Sequence, residues 1–118
     1  GNGHNGVGSG GFIFEEDFSG GSLELDGTGS VSSGNNILGN SYTISAWIKA
    51  DSFRTSGEVD HVIFSQYLAS DAGRFLFGVR YENGVATLNA FDGSGAGHLL
   101  GGTPLKVGEW YHAVVTNA

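Results

Sequence analysis

The 118-residue chain has no cysteine, no methionine, a single proline and only five basic residues. Without cysteine there is no disulfide scaffold, no thiolate zinc site and no thiol nucleophile. Five lysines and arginines against twelve aspartates and glutamates leave a formal net charge of −7. That sign is wrong for gripping phosphates, so no nucleic-acid partner is expected. No apolar run approaches the roughly 20 residues a membrane-spanning helix needs, so no membrane insertion is expected either. Charged residues make up 14% and hydrophobic residues 39%, which is the composition of a folded chain and not of a charged disordered tail. What the chain holds in quantity is glycine, 22 residues of it. An acidic, cysteine-free, Gly/Ser/Asn-rich composition favours an extracellular, cell-surface or virion setting. The first residue is Gly1, with no initiator and no signal-peptide pattern. The expectation is a processed product or a piece of something longer.

The hydrophobic pattern runs with period two, broken by glycine-rich turns at short intervals. The clearest strand is Tyr42-Thr43-Ile44-Ser45-Ala46-Trp47-Ile48-Lys49. Ile44, Ala46 and Ile48 share one face, and Thr43, Ser45 and Trp47 share the other. Apolar weight on both faces places it centrally in a sheet. Phe75, Phe77, Val79 and Tyr81 line one face of a second strand, with Arg74 and Arg80 opposite. Asn83-Gly84 follows, the dipeptide that best tolerates the positive φ angles of a type I′ turn, and the return strand is Val85–Phe91. Further strands are expected over Gly11–Phe18, Ser22–Asp26 (Leu23 and Leu25 inward), His61–Gln66 and Glu109–Thr116. In the last, Trp110, His112 and Val114 share a face. The only stretch resembling a helix is Ser65–Gly73. Gly93–Gly97 reads as a loop, and no linker or repeat divides the chain.

Four blocks, in order, carry a family resemblance. They are Gly1-Asn2-Gly3-His4-Asn5-Gly6, Ser22-Leu23-Glu24-Leu25-Asp26-Gly27, Tyr42 to Lys49, and Gly108-Glu109-Trp110-Tyr111-His112-Ala113-Val114-Val115-Thr116. Together they resemble the laminin G-like, concanavalin A-like lectin/glucanase family of bacterial and phage type. The resemblance implies an all-β fold, an antiparallel two-sheet jelly-roll sandwich, formed by residues 1–118 as one domain. It also implies that the domain is incomplete at both ends, with the missing strands supplied by neighbouring copies or by the rest of a longer chain. His112 matches the family's recurrent histidine, for which a structural hydrogen bond inside the sandwich is expected.

Candidate sites divide unevenly. Hydrolases of this shape carry three carboxylates on one strand face, so that acid and nucleophile flank one glycosidic bond. Here Glu24 and Asp26 supply two, Gly27-Thr28-Gly29 follows, and Glu15-Glu16-Asp17 alternates faces. No enzyme is expected. The four histidines form no His-x-His or His-x-x-x-His pair, which removes the usual zinc patterns. Calcium takes oxygen ligands, and the resemblance implies a rim site to which Asn2, Asn5 and Asp26 contribute. Exposed aromatics with amide or carboxylate neighbours suit sugars. Trp47, Tyr67, Tyr81, Trp110 and Tyr111 are the aromatics in reach, with Asn83, Asn89 and Asp92 as polar partners. The expected role is a non-catalytic carbohydrate-binding or adhesion module of a larger extracellular protein, with a glycan or cell-surface polymer as partner. A structural block of a fibre, appendage or virion is the second expectation, and a polysaccharide-hydrolase fragment the third.

Overall fold

Alternating side chains between glycine turns fold as read. In the computed structural model the described residues, 6–16, 20–34, 37–57, 59–66, 74–93 and 97–118, form antiparallel strands and no helix. Within the expected helical stretch, Ser65 and Gln66 end a strand, and 67–73 lie outside the described residues. The chain divides into two units, Gly1–Asn36 and Ile37–Ala118.

The first unit holds two short ladders. Strand β1 (Val7–Ser9) pairs with β4 (Ser30–Ser32), and β2 (Phe12–Glu15) pairs with β3 (Ser22–Leu25). The pairs β1 and β4 were not legible as strands, being three residues each. Leu23 and Leu25 do not turn inward as expected: both are exposed, and no described residue of this unit is buried. The physical reason is local. A two-stranded ladder offers its leucines no second layer within its own unit.

The second unit contains the core. Strand β5 (Tyr42–Ile48) pairs with β10 (Tyr111–Asn117), while β6 (Asp60–Gln66), β7 (Phe75–Glu82), β8 (Val85–Phe91) and β9 (Leu99–Leu100) form a four-stranded sheet in that order. The β7–β8 turn is the two-residue type expected, with Glu82 opposite Val85, Asn83 at φ 53° and Gly84 at φ 82°. The ladder β5–β10 packs its inner face on this sheet, as a sandwich does. Phe75, Phe77 and Ala113, the last at 0% exposure, meet Tyr42, Ile44, Ile48, Leu88 and Val115 there. Val79, Ala86 and Leu105 continue the core beside Phe53, Tyr81 and Tyr111. In β6 the register shifts between Val62 and Phe64. Setting one extra residue against its neighbour lets both Ile63 and Phe64 reach the core.

One expectation is corrected here. Among the described residues β5 is not central, because it has a ladder partner on one side only. Trp47 supplied the apolar weight that suggested burial on both faces, and Trp47 is exposed.

Candidate functional site

The outer face of the β5–β10 ladder is set by register. His112 lies opposite Trp47, Val114 opposite Ser45 and Thr116 opposite Thr43. Because Ala113 and Val115 take the inward positions, their neighbours must point out. Trp47 is 56% exposed, and its indole stacks on the His112 ring at 5.0 Å between centroids and 21° between planes. At the same end Lys49 holds its Nζ 5.2 Å from the centre of the Trp110 ring, a cation–π distance. Thr43, Ser45 and Thr116 carry the face onward with hydroxyls. Neither strand contains an aspartate or glutamate. This overturns the expectation for His112. Among the described residues its side chain makes no hydrogen bond inside the sandwich; it lies exposed against Trp47, since Ala113 occupies the inward position beside it.

The second face of the four-stranded sheet carries a polar network. Asn89 is 1% exposed, donates through Nδ2 to Asp60 Oδ1 at 3.1 Å, and meets His98 Nδ1 with Oδ1 at 2.9 Å. Arg80 reaches both Asp60 oxygens at 3.1 Å and lies 3.5 Å from Glu82. Each buried polar atom so paired avoids the cost of desolvation without a partner. Nearby, His61 Nε2 accepts the Arg54 N–H at 2.9 Å, which requires a neutral ring nitrogen. Burial first, and the Arg54 charge second, push its pKa below the ordinary value, with Asp60 opposing. Asn89 was singled out from sequence, but its partners were not. Asp60, Arg80 and His98 come together only through strand register, of which the sequence gives no sign.

Other expected positions scatter. Asn2, Asn5 and Tyr67 lie outside the described residues. Asp26 is exposed, and its Oδ1 accepts from the Thr28 hydroxyl at 2.7 Å and the Thr28 N–H at 2.8 Å. These two bonds, the hydroxyl's first, hold its carboxyl below the usual range. Calcium takes about six to eight oxygens, and among the described residues no group of three or more histidines and carboxylates is placed to hold a metal. Asp26 by itself makes no such site. Tyr81 stacks on Phe53 at 6.0 Å in the core region. Tyr111 packs there too, with its hydroxyl donating to Glu109 at 2.8 Å.

Beside β10 a cleft of about 200 Å³ is lined by Leu88, Leu105, Tyr111, His112 and the segment Gly101-Gly102-Thr103. No helix among the described residues is long and apolar enough to cross a membrane. The chain finds no match among curated proteins or among solved structures. A family match covers residues 25–118, most of the chain, and includes both layers of the sandwich described above. With two antiparallel sheets packed face to face over that same span, the chain belongs to the concanavalin A-like lectin/glucanases superfamily.

Proposed function

We propose that this chain is a non-catalytic carbohydrate-binding or adhesion module of a larger extracellular bacterial or phage protein. Membership of the superfamily supports a lectin-like or adhesion role in general. The observation that carries the reading is Trp47, exposed on a sheet face and held flat by His112. An apolar ring kept in water costs free energy, and a rigid aromatic surface ringed by polar groups marks interaction sites. The C–H face of a sugar ring packs on such an indole, and its hydroxyls find hydrogen-bonding partners in Ser45, Thr43 and Thr116. The test is a glycan array, followed by titration of any bound glycan using tryptophan fluorescence. Trp47→Ala should bind at least about tenfold more weakly, a loss of about 1.4 kcal/mol. A blank array, or unchanged affinity in the variant, overturns the reading.

The absence of catalysis in this proposal rests on Glu24 and Asp26 alternating without a third carboxylate. Release of reducing ends from laminarin or agar, abolished by Glu24→Gln, would favour the hydrolase instead. The second reading, a structural block of a fibre, appendage or virion, draws on the first unit. Phe14 there is 80% exposed, and Val7 and Ile13 are exposed with it. Surfaces of that kind are buried in assemblies.

A further inference from the structure

The outer face of the β5–β10 ladder is one-sided in its chemistry. Trp47 stands opposite His112, and continuing that register past the end of β5 sets Lys49 beside Trp110. Lys49 and Trp110 share the outward parity of Trp47 and His112. Each indole thus carries a basic group against its ring, an imidazole on Trp47 and an ammonium at Trp110. Lys49 and His112 are exposed, as Trp47 is. An ammonium and an indole N–H only donate hydrogen bonds, while hydroxyls such as those of Thr43, Ser45 and Thr116 serve either way. No carboxylate and no side-chain amide occupies an outward position of either strand. The face is therefore rich in donors and positive charge, on a chain whose net charge is −7.

A neutral sugar presents hydroxyls, and a site that grips them needs strong acceptors for their protons. This face offers few acceptors and many donors, which suits a ligand that mainly accepts. We infer that the face takes an anionic saccharide, one whose ring bears a carboxylate or a sulfate; this rests on the reading of Trp47 as a sugar platform. The C–H face of the ring lies on the Trp47 indole, and Lys49 receives the anionic group. Trp47 and Lys49 sit one alternation apart on the same side of the chain, about 6.5 Å, within reach of a ring substituent. Hydrogen bonds from an ammonium to an anionic oxygen are roughly twice as strong as neutral ones. The contact with Trp110 also narrows the freedom of the Lys49 side chain, so less ordering remains to oppose binding. Because the chain as a whole repels polyanions, admission of one depends on this local positive charge.

The test is titration of the whole chain, followed by tryptophan fluorescence, with oligogalacturonate, hyaluronan, dextran sulfate and plain dextran. At least one charged saccharide should bind about tenfold or more tightly than dextran, and the comparison among them separates carboxylate from sulfate. Lys49→Gln should weaken that binding about tenfold, the effect of losing one hydrogen bond to a charged group, and Lys49→Arg should restore most of it. Arg54→Gln makes the same change in net charge at an exposed position outside both strands and should leave the affinity unaltered. Raising the salt from about 0.1 M to 1 M shortens the screening length from about 10 Å to 3 Å and should weaken the charged saccharide selectively. Circular dichroism of each variant, matching the parent, excludes loss of fold as the cause. Dextran bound as tightly as the charged saccharides, with that binding lost in Trp47→Ala, overturns the inference while the carbohydrate-binding reading stands. A charged saccharide bound equally by the parent and Lys49→Gln overturns it as well. So does failure of all three charged saccharides to bind, whatever a glycan array reports for neutral ones.

Discussion

Gly78 in β7 sits opposite Val62 on one side and Asn89 on the other, at the centre of the four-stranded sheet. A Cβ there would overlap the carbonyl oxygen of His61, and would lie 3.1 Å from its carbon and 3.2 Å from Val62 Cα. All three are backbone atoms, so no side chain can swing away to make room. The methyl group of Gly78→Ala fits only if β6 moves by about 1 Å, a displacement that forfeits much of the local packing. Forcing extra atoms into a packed region costs about 1–3 kcal/mol. Moving β6 also strains the Asp60 bonds to Arg80 and Asn89, and charge-assisted bonds contribute about 1.5–3 kcal/mol each. Part of each is retained after relaxation, so the expected loss is about 3 kcal/mol in all. At about 4–8 °C per kcal/mol for a domain of this size, Tm should fall by roughly 12–24 °C. Differential scanning calorimetry measures it directly. Gly102→Ala is the control, because a Cβ there meets nothing within 4 Å. It should melt close to the parent, within the roughly 0.5 kcal/mol typical of surface changes. A Gly78→Ala chain melting within about 2 °C of the parent would refute the close approach of β6 to β7, since 2 °C is about 0.5 kcal/mol or less.

Three further outcomes are expected. Gly84→Val places a β-branched residue at φ 82° and should lose about 1 kcal/mol or more in urea denaturation; unchanged stability would contradict the type I′ turn. Asn89→Leu removes the amide joining Asp60 to His98 and should cost about 1–3 kcal/mol, measured the same way. His61 has a folded pKa below its unfolded value of about 6.5, so the unfolded chain takes the proton first. Its contribution is complete above that value and is lost as pH falls through the folded pKa, so Tm should drop faster between pH 7.5 and 5 in the parent than in His61→Gln.

How far the sequence carried the structure depends on scale. The turn and the return strand of the β7–β8 hairpin were legible to the residue, and β7 within one residue at each end, because Asn83-Gly84 has one comfortable conformation and both flanks alternate over seven or more positions. Strands β5 and β10 were legible for the same reason, and so was the parity that turns Trp47 outward. What escaped was everything that needs a second element. Leu23 and Leu25 alternate as buried leucines do, yet alternation states only that they share a face, not that the face is covered. Asp60, Arg80, Asn89 and His98 belong to three strands and a loop, and only pairing of Asp60 with Arg80 and of Gly78 with Asn89 assembles them. His112 failed differently. Its inward role was inferred from the family pattern, whereas the alternation with Ala113 and Val115 already required it to point out. The local rule was the better guide.

That alternation also separates the fold from the face proposed to bind. The register of β5 on β10 is fixed by Ile44, Ile48, Ala113 and Val115, all on the inner side. A slip of one residue would bury His112 and expel Ala113, so the core permits no other arrangement. Trp47 and His112 are therefore brought together by residues that neither of them touches on the inner face, and the stack adds little to the stability of the core. An exposed side chain away from caps and networks changes stability by only about 0.5 kcal/mol when replaced. It follows that residues on this outer face can vary in kind while the sandwich persists, whereas Ala113, at 0% exposure, cannot enlarge without pushing the two layers apart. A superfamily that keeps one architecture and changes its ligands needs this division of labour between the two sides of a strand.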